Sequence, residues 1–246
     1  MRYLAILSVI MTLAVNSARA DCVVVLHGLS RSDLSMRLLE ETLQYHGYQV
    51  VNRSYPSEDA PIEALIDHVG QSVDQCGHQT VHFVTHSLGG ILVRAWLRDN
   101  RPEMMGRVVM LAPPNNGTEI VDTLADEPML ARMLELMSGP AALQLGTNGN
   151  SVPRRLGPVD FELGVIAGNR FINPVGALLI DGPHDGTVSV ASTEVEGMRD
   201  HIVLPTTHTL IMNNPVVMAE VLEFLRWGWF DHGITLPSAL RKLANP

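Results

Sequence analysis

The sequence predicts an α/β protein with a mostly parallel central sheet and helices on both faces of that sheet. Apolar runs of strand length alternate with segments of helical periodicity through most of the chain. Strands that are joined through helices pair in parallel by right-handed crossovers. The chain has 246 residues, 46% of them hydrophobic and 17% charged, so it has enough apolar mass to bury a sheet.

The strands are predicted from short apolar runs bounded by helical segments or turn residues. They are 22–26, 48–54, 81–85, 107–111, 162–167 and 201–204. Helix 33–45 is predicted from leucines at helical spacing ahead of Gly47, and helix 61–73 begins with Pro61, which is favoured in a first turn. Further helical spacing predicts helices at 88–98, 129–137 and 216–225.

One stretch, 115–158, interrupts the alternation with glycine, proline and asparagine around a single helical piece. It is too short to form its own core, so we expect a cap-like insertion after the fourth strand. The methionines in it indicate either an adaptable apolar cover over a site or ordinary packing. Residues 21–246 are therefore expected to form one domain.

The first twenty residues have the order of a secretory signal peptide. A basic start at Arg2 precedes an apolar run at 3–15, and Ala18-Arg19-Ala20 fits a small-x-small cleavage site. The run is too short to span a bilayer, although an uncleaved anchor remains the alternative. The prediction is a signal peptide at 1–20 and a periplasmic or secreted protein.

The charge balance argues against nucleic acid as a partner. The chain has a formal charge of −9, and cleavage after Ala20 would remove two arginines and no acidic residue. Such a surface lacks the positive charge that binds phosphate backbones or anionic membranes. No cluster of cysteine and histidine has metal-ligand spacing, so we expect no metal and no cofactor.

The two cysteines, Cys22 and Cys76, predict one disulfide in an exported protein. Each lies at the beginning of a predicted strand or just before one, so neighbouring parallel strands would bring them to the same sheet edge. Two free buried thiols are the alternative.

The segment 85–90, Thr-His-Ser-Leu-Gly-Gly, carries the clearest chemical signal. It lies between a predicted strand and a predicted helix, where Ser87 would be held on a sharp turn with its hydroxyl exposed. Small residues such as Gly89 allow the strand and the helix to approach each other. This segment resembles the nucleophile elbow of the α/β-hydrolase family, with Thr85 in place of the usual first glycine. His86 flanks the nucleophile.

The resemblance covers nearly all of residues 21–246 and implies an α/β-hydrolase fold with further site residues. His27-Gly28 ends the first strand, as in lipases whose His-Gly turn begins the oxyanion loop. The resemblance implies that the backbone N–H groups of Leu29 and Leu88 hold the oxyanion, while His27 has a structural role.

The family places the acid after the next-to-last strand and the base after the last. Asp185, in the segment His-Asp-Gly-Thr-Val, resembles the acid segment of bacterial lipases, and Asp181 is the alternative. His208 follows the strand at 201–204 and precedes the last helix, which is where the family has its base. The expected triad is Ser87, Asp185 and His208.

The implied function is hydrolysis of carboxylic esters by an esterase or lipase, through an acyl-enzyme on Ser87. The elbow is also similar to that of lipase-like deacylases of the GPI-inositol deacylase group. An acyltransferase, thioesterase or amidase with the same triad remains open, as does a catalytically silent binding partner. The substrate would be a small-molecule or lipid ester. The aromatic cluster at 227–230 indicates either a transient lipid contact or packing on the sheet.

Overall fold

The computed structural model describes residues 20–172 and 174–246. The predicted signal peptide, 1–20, lies outside the described residues apart from Ala20. Within the described ranges, no helix is both long and apolar enough to cross a membrane.

A six-stranded parallel sheet forms the centre of the molecule, as predicted. Its strands lie in the order β2-β1-β3-β4-β5-β6, so the chain winds one way from β1 to β2 and the other way from β3 onwards. In an open α/β sheet, ligands bind at the carboxyl ends of the strands where the strand order reverses. Here that position lies between β1 and β3. The strands are β1 Cys22–Leu26, β2 Gln49–Asn52, β3 Val81–His86, β4 Met105–Leu111, β5 Leu163–Gly168 and β6 Asp200–Leu204.

The helices cover both faces of the sheet because residues along each strand alternate between two cores. In β1, Val24 packs into one hydrophobic core with Ile91, whereas Val23 and Val25 pack into the other with Phe224. The helices are α1 Arg37–Tyr45, α2 Ile62–Leu65, α3 Asp67–Val73, α4 Leu88–Leu97, α5 Glu119–Ala125, α6 Pro128–Ser138, α7 Pro140–Leu143, α8 Val152–Arg155, α9 Pro174–Leu179, α10 Val190–Thr193, α11 Pro215–Trp227 and α12 Leu236–Ala244.

Some element bounds differ from the sequence prediction. The helix expected at 61–73 is divided into α2 and α3 at Ile66, and Pro61 caps it with extended backbone. Helix α12 was not predicted, and it packs on α11 through Lys242, which pairs with Glu223 at 2.6 Å.

The segment between β4 and β5 contains four helices and lies over one end of the sheet. Arg94 of α4 fixes it in place, since the buried guanidinium donates to the carbonyl oxygens of Asn115, Pro153 and Gly157. Burial lowers the pKa of Arg94 to about 10. Helix α6 exposes four apolar side chains to solvent, which are Met129, Met133, Leu136 and Met137.

The predicted disulfide is present between Cys22 and Cys76, with a Cα–Cα distance of 5.6 Å. Cys22 begins β1, and Cys76 ends a short 3₁₀ turn ahead of β3. The bond therefore lies at the amino-terminal edge of the sheet.

Candidate active site

Ser87 occupies a strained turn between β3 and α4. Its φ of 51° and ψ of −120° lie in a region that residues with a side chain rarely adopt. A Cβ atom on Gly89 would lie 2.8 Å from the carbonyl oxygens of Leu26 and His27. Glycine at 89 is therefore needed for β1 to approach the start of α4 this closely.

Thr85, the departure from the family motif, fits because Gly90 makes room for it. The Thr85 side chain is fully buried, and a Cβ atom on Gly90 would lie 3.2 Å from its Oγ1. The second glycine of the motif thus accommodates the larger residue at its start.

His208 and Asp185 are joined by a short hydrogen bond. His208 Nδ1 lies 2.7 Å from Asp185 Oδ2, and the backbone N–H of His208 donates to the Asp185 carbonyl oxygen at 3.0 Å. Because an ionised carboxylate can only accept, Nδ1 is the protonated nitrogen and Nε2 has the free lone pair. This is the tautomer that a general base requires.

Asp185 is itself held rigidly. It is 2% exposed, and its Oδ1 accepts the N–H groups of Thr187 and Val188 at 2.9 and 2.8 Å. Asp181, the sequence alternative, is exposed to solvent and is not hydrogen-bonded to His208. The geometry brings Asp185, and not Asp181, to the histidine.

Ser87 and His208 line the same cavity, which has a volume of about 360 Å³. Among the described residues, no hydrogen bond joins the Ser87 hydroxyl to the His208 ring. Such a bond is often loose without substrate and tightens in the substrate complex. Most of the cavity wall is apolar, with Ile120, Val121, Leu134, Ala142, Leu145 and Val188 on it.

The backbone N–H groups of Leu29 and Leu88 are the candidate oxyanion donors. Neither Leu29 nor Leu88 has a backbone N–H that donates to a protein acceptor within the described ranges. Leu29 lines the cavity, and Leu88 follows Ser87 at the start of α4. Two free donors beside a nucleophile could hold a developing negative charge.

His27 packs against Tyr55 and is hydrogen-bonded to it. Its ring stacks on Tyr55 with centroids 4.1 Å apart, its Nε2 accepts the Tyr55 N–H, and the Tyr55 hydroxyl donates to the His27 carbonyl oxygen. Gly28 is sterically required, because a Cβ atom there would lie 2.7 Å from His86 Nδ1.

His86 contacts both the ring and the backbone carbonyl of His208, the candidate base. Its Nε2 lies 3.1 Å from the carbonyl oxygen of His208, and the two rings have centroids 4.8 Å apart. Burial lowers the pKa of His86 well below its usual value, and the positive charge of Arg31 adds to this effect. His86 is therefore neutral and donates from Nε2.

Two residues near the candidate site did not emerge from the sequence. Gly168 ends β5, where a Cβ atom would lie 2.5 Å from the Thr206 carbonyl oxygen and 2.9 Å from Asp185 Cβ, so the acid and base loops meet there. Arg31 lines the cavity. Its position in the sequence, just after the His-Gly turn, could have indicated that it lies near the candidate site.

No group of three potential metal ligands occurs among the side chains that the structure describes. A larger cleft of about 930 Å³ lies at the amino-terminal edge of the sheet, away from Ser87, between Tyr48, Arg107 and Trp227. In the aromatic cluster at 227–230, Trp227 and Trp229 are exposed, whereas Phe230 is buried against Phe224.

No family model and no curated protein matches the chain. Among solved structures, it is similar to the mature form of lipase BlEst2 from Bacillus licheniformis, with 20% identity, a TM-score of 0.65, and 85% of this chain and 93% of that chain covered. It spans 51% of the propeptide form of that lipase.

It is also similar to phospholipase PlaB from Legionella pneumophila in complex with thio-NAD, with 16% identity, a TM-score of 0.66, and 92% of this chain and 61% of that chain covered. A lipase-esterase related protein from Clostridium acetobutylicum has 16% identity and a TM-score of 0.55, with 83% and 94% covered. Identities this low establish the fold and no more. The chain has the α/β-hydrolase fold, as its sequence predicts.

Proposed function

We propose that the protein is a serine hydrolase that cleaves carboxylic esters through an acyl-enzyme on Ser87. The observation that carries the proposal is the meeting of three features at one cavity. These are a serine on a strained elbow, a buried His208–Asp185 pair with its free nitrogen on His208, and two unused backbone N–H groups.

The mechanism follows from these roles. His208 Nε2 takes the proton of the Ser87 hydroxyl as Oγ attacks the ester carbonyl, and the N–H groups of Leu29 and Leu88 stabilise the oxyanion. Collapse of the intermediate breaks the ester bond, and His208 returns the proton to the leaving alcohol. Water then attacks the acyl-enzyme by the same route and releases the acid.

The cavity favours acyl esters of modest size. Its volume of about 360 Å³ is near the lower end for small-molecule sites, and its apolar wall suits an acyl chain. That several neighbours of the same fold are lipases or esterases by name supports the same class.

The experiment is hydrolysis of p-nitrophenyl esters of graded chain length by the wild type and by Ser87→Ala. We expect turnover by the wild type and a fall of about a million-fold in the variant. Ser54→Ala is the matched control, because Ser54 is exposed beyond β2, outside the cavity.

A fluorophosphonate probe distinguishes the alternatives. Labelling of Ser87 without net hydrolysis, but with acyl transfer to an added alcohol or amine, would favour an acyltransferase. If folded wild type neither cleaves these esters nor reacts with the probe, the catalytic proposal is wrong and a binding role replaces it.

We also infer that the protein is exported. The composition of 1–20 and the Cys22–Cys76 disulfide support this, because disulfides persist in oxidising compartments. The amino-terminal residue of the protein from the native host tests it, with Asp21 expected.

A further inference from the structure

We propose that the Arg31 guanidinium on the wall of the Ser87 cavity binds an anionic group of the substrate. The preferred substrates would then be acyl esters that carry a phosphate or carboxylate close to the ester bond. This inference rests on the proposed function and names its substrate class.

Arg31 belongs to the loop that carries the candidate oxyanion donor. It follows Leu29 by two residues, and Ser30 between them turns the chain with a φ of 53°. Leu29, Arg31 and Ser87 line the same cavity. A substrate whose ester carbonyl lies at Ser87 would therefore present its adjoining atoms to the guanidinium.

Arg31 is unpaired, unlike Arg94 and Arg107, the other arginines that are at least partly buried among the described residues. In the ranges that the structure describes, it has no hydrogen bond and no carboxylate within 4.0 Å. Arg107 and Arg199 both pair with Glu162, and Arg94 is surrounded by carbonyl oxygens. A half-buried guanidinium has lost part of its hydration, so a ligand anion would supply the missing partner.

The charges around the cavity favour an anion at this point. Arg31 is the one formally charged side chain among the described residues that line the cavity. Asp185, the buried acid that pairs with His208, has both carboxylate oxygens engaged, with His208 and with two backbone N–H groups. It is therefore not a direct partner of the Arg31 guanidinium.

The net charge of the whole molecule is opposite in sign to that of Arg31. With a formal charge of −9, the chain as a whole repels anions, so a preference for anionic esters requires direct contact within the cavity. An arginine in direct contact with a phosphate or carboxylate also forms two parallel hydrogen bonds with it. Long-range electrostatic attraction from the protein surface provides no such bonds. The apolar wall would hold the acyl chain while Arg31 holds the anion.

The test uses three esters with the same acyl chain, namely 1-hexanoylglycerol, 1-hexanoylglycerol 3-phosphate and the hexanoyl ester of glyceric acid. Wild type is expected to hydrolyse at least one anionic ester with a kcat/KM about ten-fold above that of the neutral ester. Arg31→Gln should remove that advantage, with kcat/KM for the preferred anionic ester falling about ten-fold relative to that for the neutral ester. Arg31→Lys keeps the positive charge but lacks the paired N–H donors of a guanidinium. Its preference for the anionic ester should therefore lie between those of the wild type and Arg31→Gln.

Arg98→Gln is the control for charge alone. Arg98 is exposed at the far end of α4, about 16 Å along the helix from Ser87, so this variant should leave all three rates unchanged. A preference for the phosphate or for the carboxylate ester identifies the source of the anion. The inference is overturned if the neutral ester is preferred, or if Arg31→Gln lowers all three rates equally.

A binding measurement separates this inference from the proposed function. Calorimetry of hexyl phosphate and hexanoate with Ser87→Ala protein requires no turnover, and binding should weaken about ten-fold in Ser87→Ala/Arg31→Gln. If no ester is hydrolysed but this difference is found, the anion subsite stands and the hydrolase proposal fails. If hydrolysis is found and Arg31 affects neither rates nor binding, the reverse holds.

Discussion

At the scale of single residues, the candidate site depends on close approaches that admit few alternatives. Gly28, Gly89 and Gly168 each lie where a Cβ atom would come within 3 Å of a neighbouring atom. Gly28 and Gly89 bring the end of β1 against the turn that carries Ser87, whereas Gly168 brings the segments after β5 and β6 together. The candidate catalytic residues are therefore positioned by residues that take no part in the proposed chemistry.

His86 is a residue of this kind, because its Nε2 donates to the carbonyl oxygen of His208. His86→Leu would leave that buried oxygen without its donor, and the loop carrying the base would shift. We expect kcat for ester hydrolysis to fall about ten- to hundred-fold with little change in KM, since small displacements of a base are costly.

His86→Gln is the matched variant, since its amide can donate to the same oxygen and should restore most of the rate. Unfolding midpoints of both variants would accompany the kinetics. Equal losses in the two variants, or a rise in KM alone, would contradict a positioning role.

The sequence pointed to Ser87, Asp185 and His208 as candidate site residues because each lies in a segment that follows a local rule. An elbow serine needs glycine beside it, and the base lies after the last strand. By contrast, Arg94 and Arg31 look like ordinary surface residues in the sequence. Their environments depend on segments far along the chain, such as Gly157 for Arg94. Burial and pairing of single charges could therefore not be predicted.

At the scale of elements, the strands were predicted better than the helices. Strands such as β1 and β3 are buried on both faces and consist of continuous apolar runs. The break at Ile66 and the existence of α12 depend instead on packing, since α12 has a single buried residue, Ala239, and contacts α11. A nine-residue helix is marginal on its own, so its contact with α11 decides whether it forms.

Helix α11 contains an ionisable side chain whose charged form is disfavoured by burial. Glu220 is fully buried, with Oε2 accepting the Asp231 N–H at 2.8 Å and Oε1 without a partner among the described residues. Burial raises its pKa to about 7, the Asp231 charge adds to this, and Lys242 opposes it. The unfolded chain would instead titrate near 4.5.

This difference predicts a pH-dependent loss of stability. Between the two pKa values the native state binds more protons, so the free energy of unfolding should fall as pH rises from about 4.5 to 7. Glu220→Gln carries no charge and should be more stable than wild type at pH 8 by on the order of 2 kcal/mol.

Urea unfolding of both proteins at pH 5 and pH 8 provides the measurement. The difference in free energy of unfolding between the two proteins should be larger at pH 8 than at pH 5. At pH 5 Glu220 of the native wild type is still mostly protonated. A gap of constant size would mean that Glu220 is not titrating in this range.

At the scale of the whole molecule, the disulfide and the candidate active site lie at opposite edges of one sheet. The disulfide joins Cys22 and Cys76 at the amino ends of β1 and β3, whereas Ser87 and the oxyanion loop lie at their carboxyl ends. A five-residue strand separates the two edges by about 16 Å. The fold and the disulfide were both confirmed, because each follows from the strand order.

This separation predicts that the disulfide can be removed without changing catalysis. The bond closes a loop across 54 positions, which the chain-entropy model values at about 4 kcal/mol, with measured effects often smaller. Cys22→Ser/Cys76→Ser should therefore unfold at lower urea concentration and lower temperature. Below that temperature, its kcat/KM for a p-nitrophenyl ester should match the wild type, since the bond and Ser87 lie at opposite ends of the strands.

Wild type treated with a reductant under the same conditions is the matched comparison, because it loses the bond without any change of side-chain volume. Both proteins should show the same loss of stability and the same retained activity. A fall in kcat/KM in protein that is still folded would show that strain passes through β1 from Cys22 to Gly28. In that case the two edges of the sheet act as one mechanical unit rather than as separate supports for stability and chemistry.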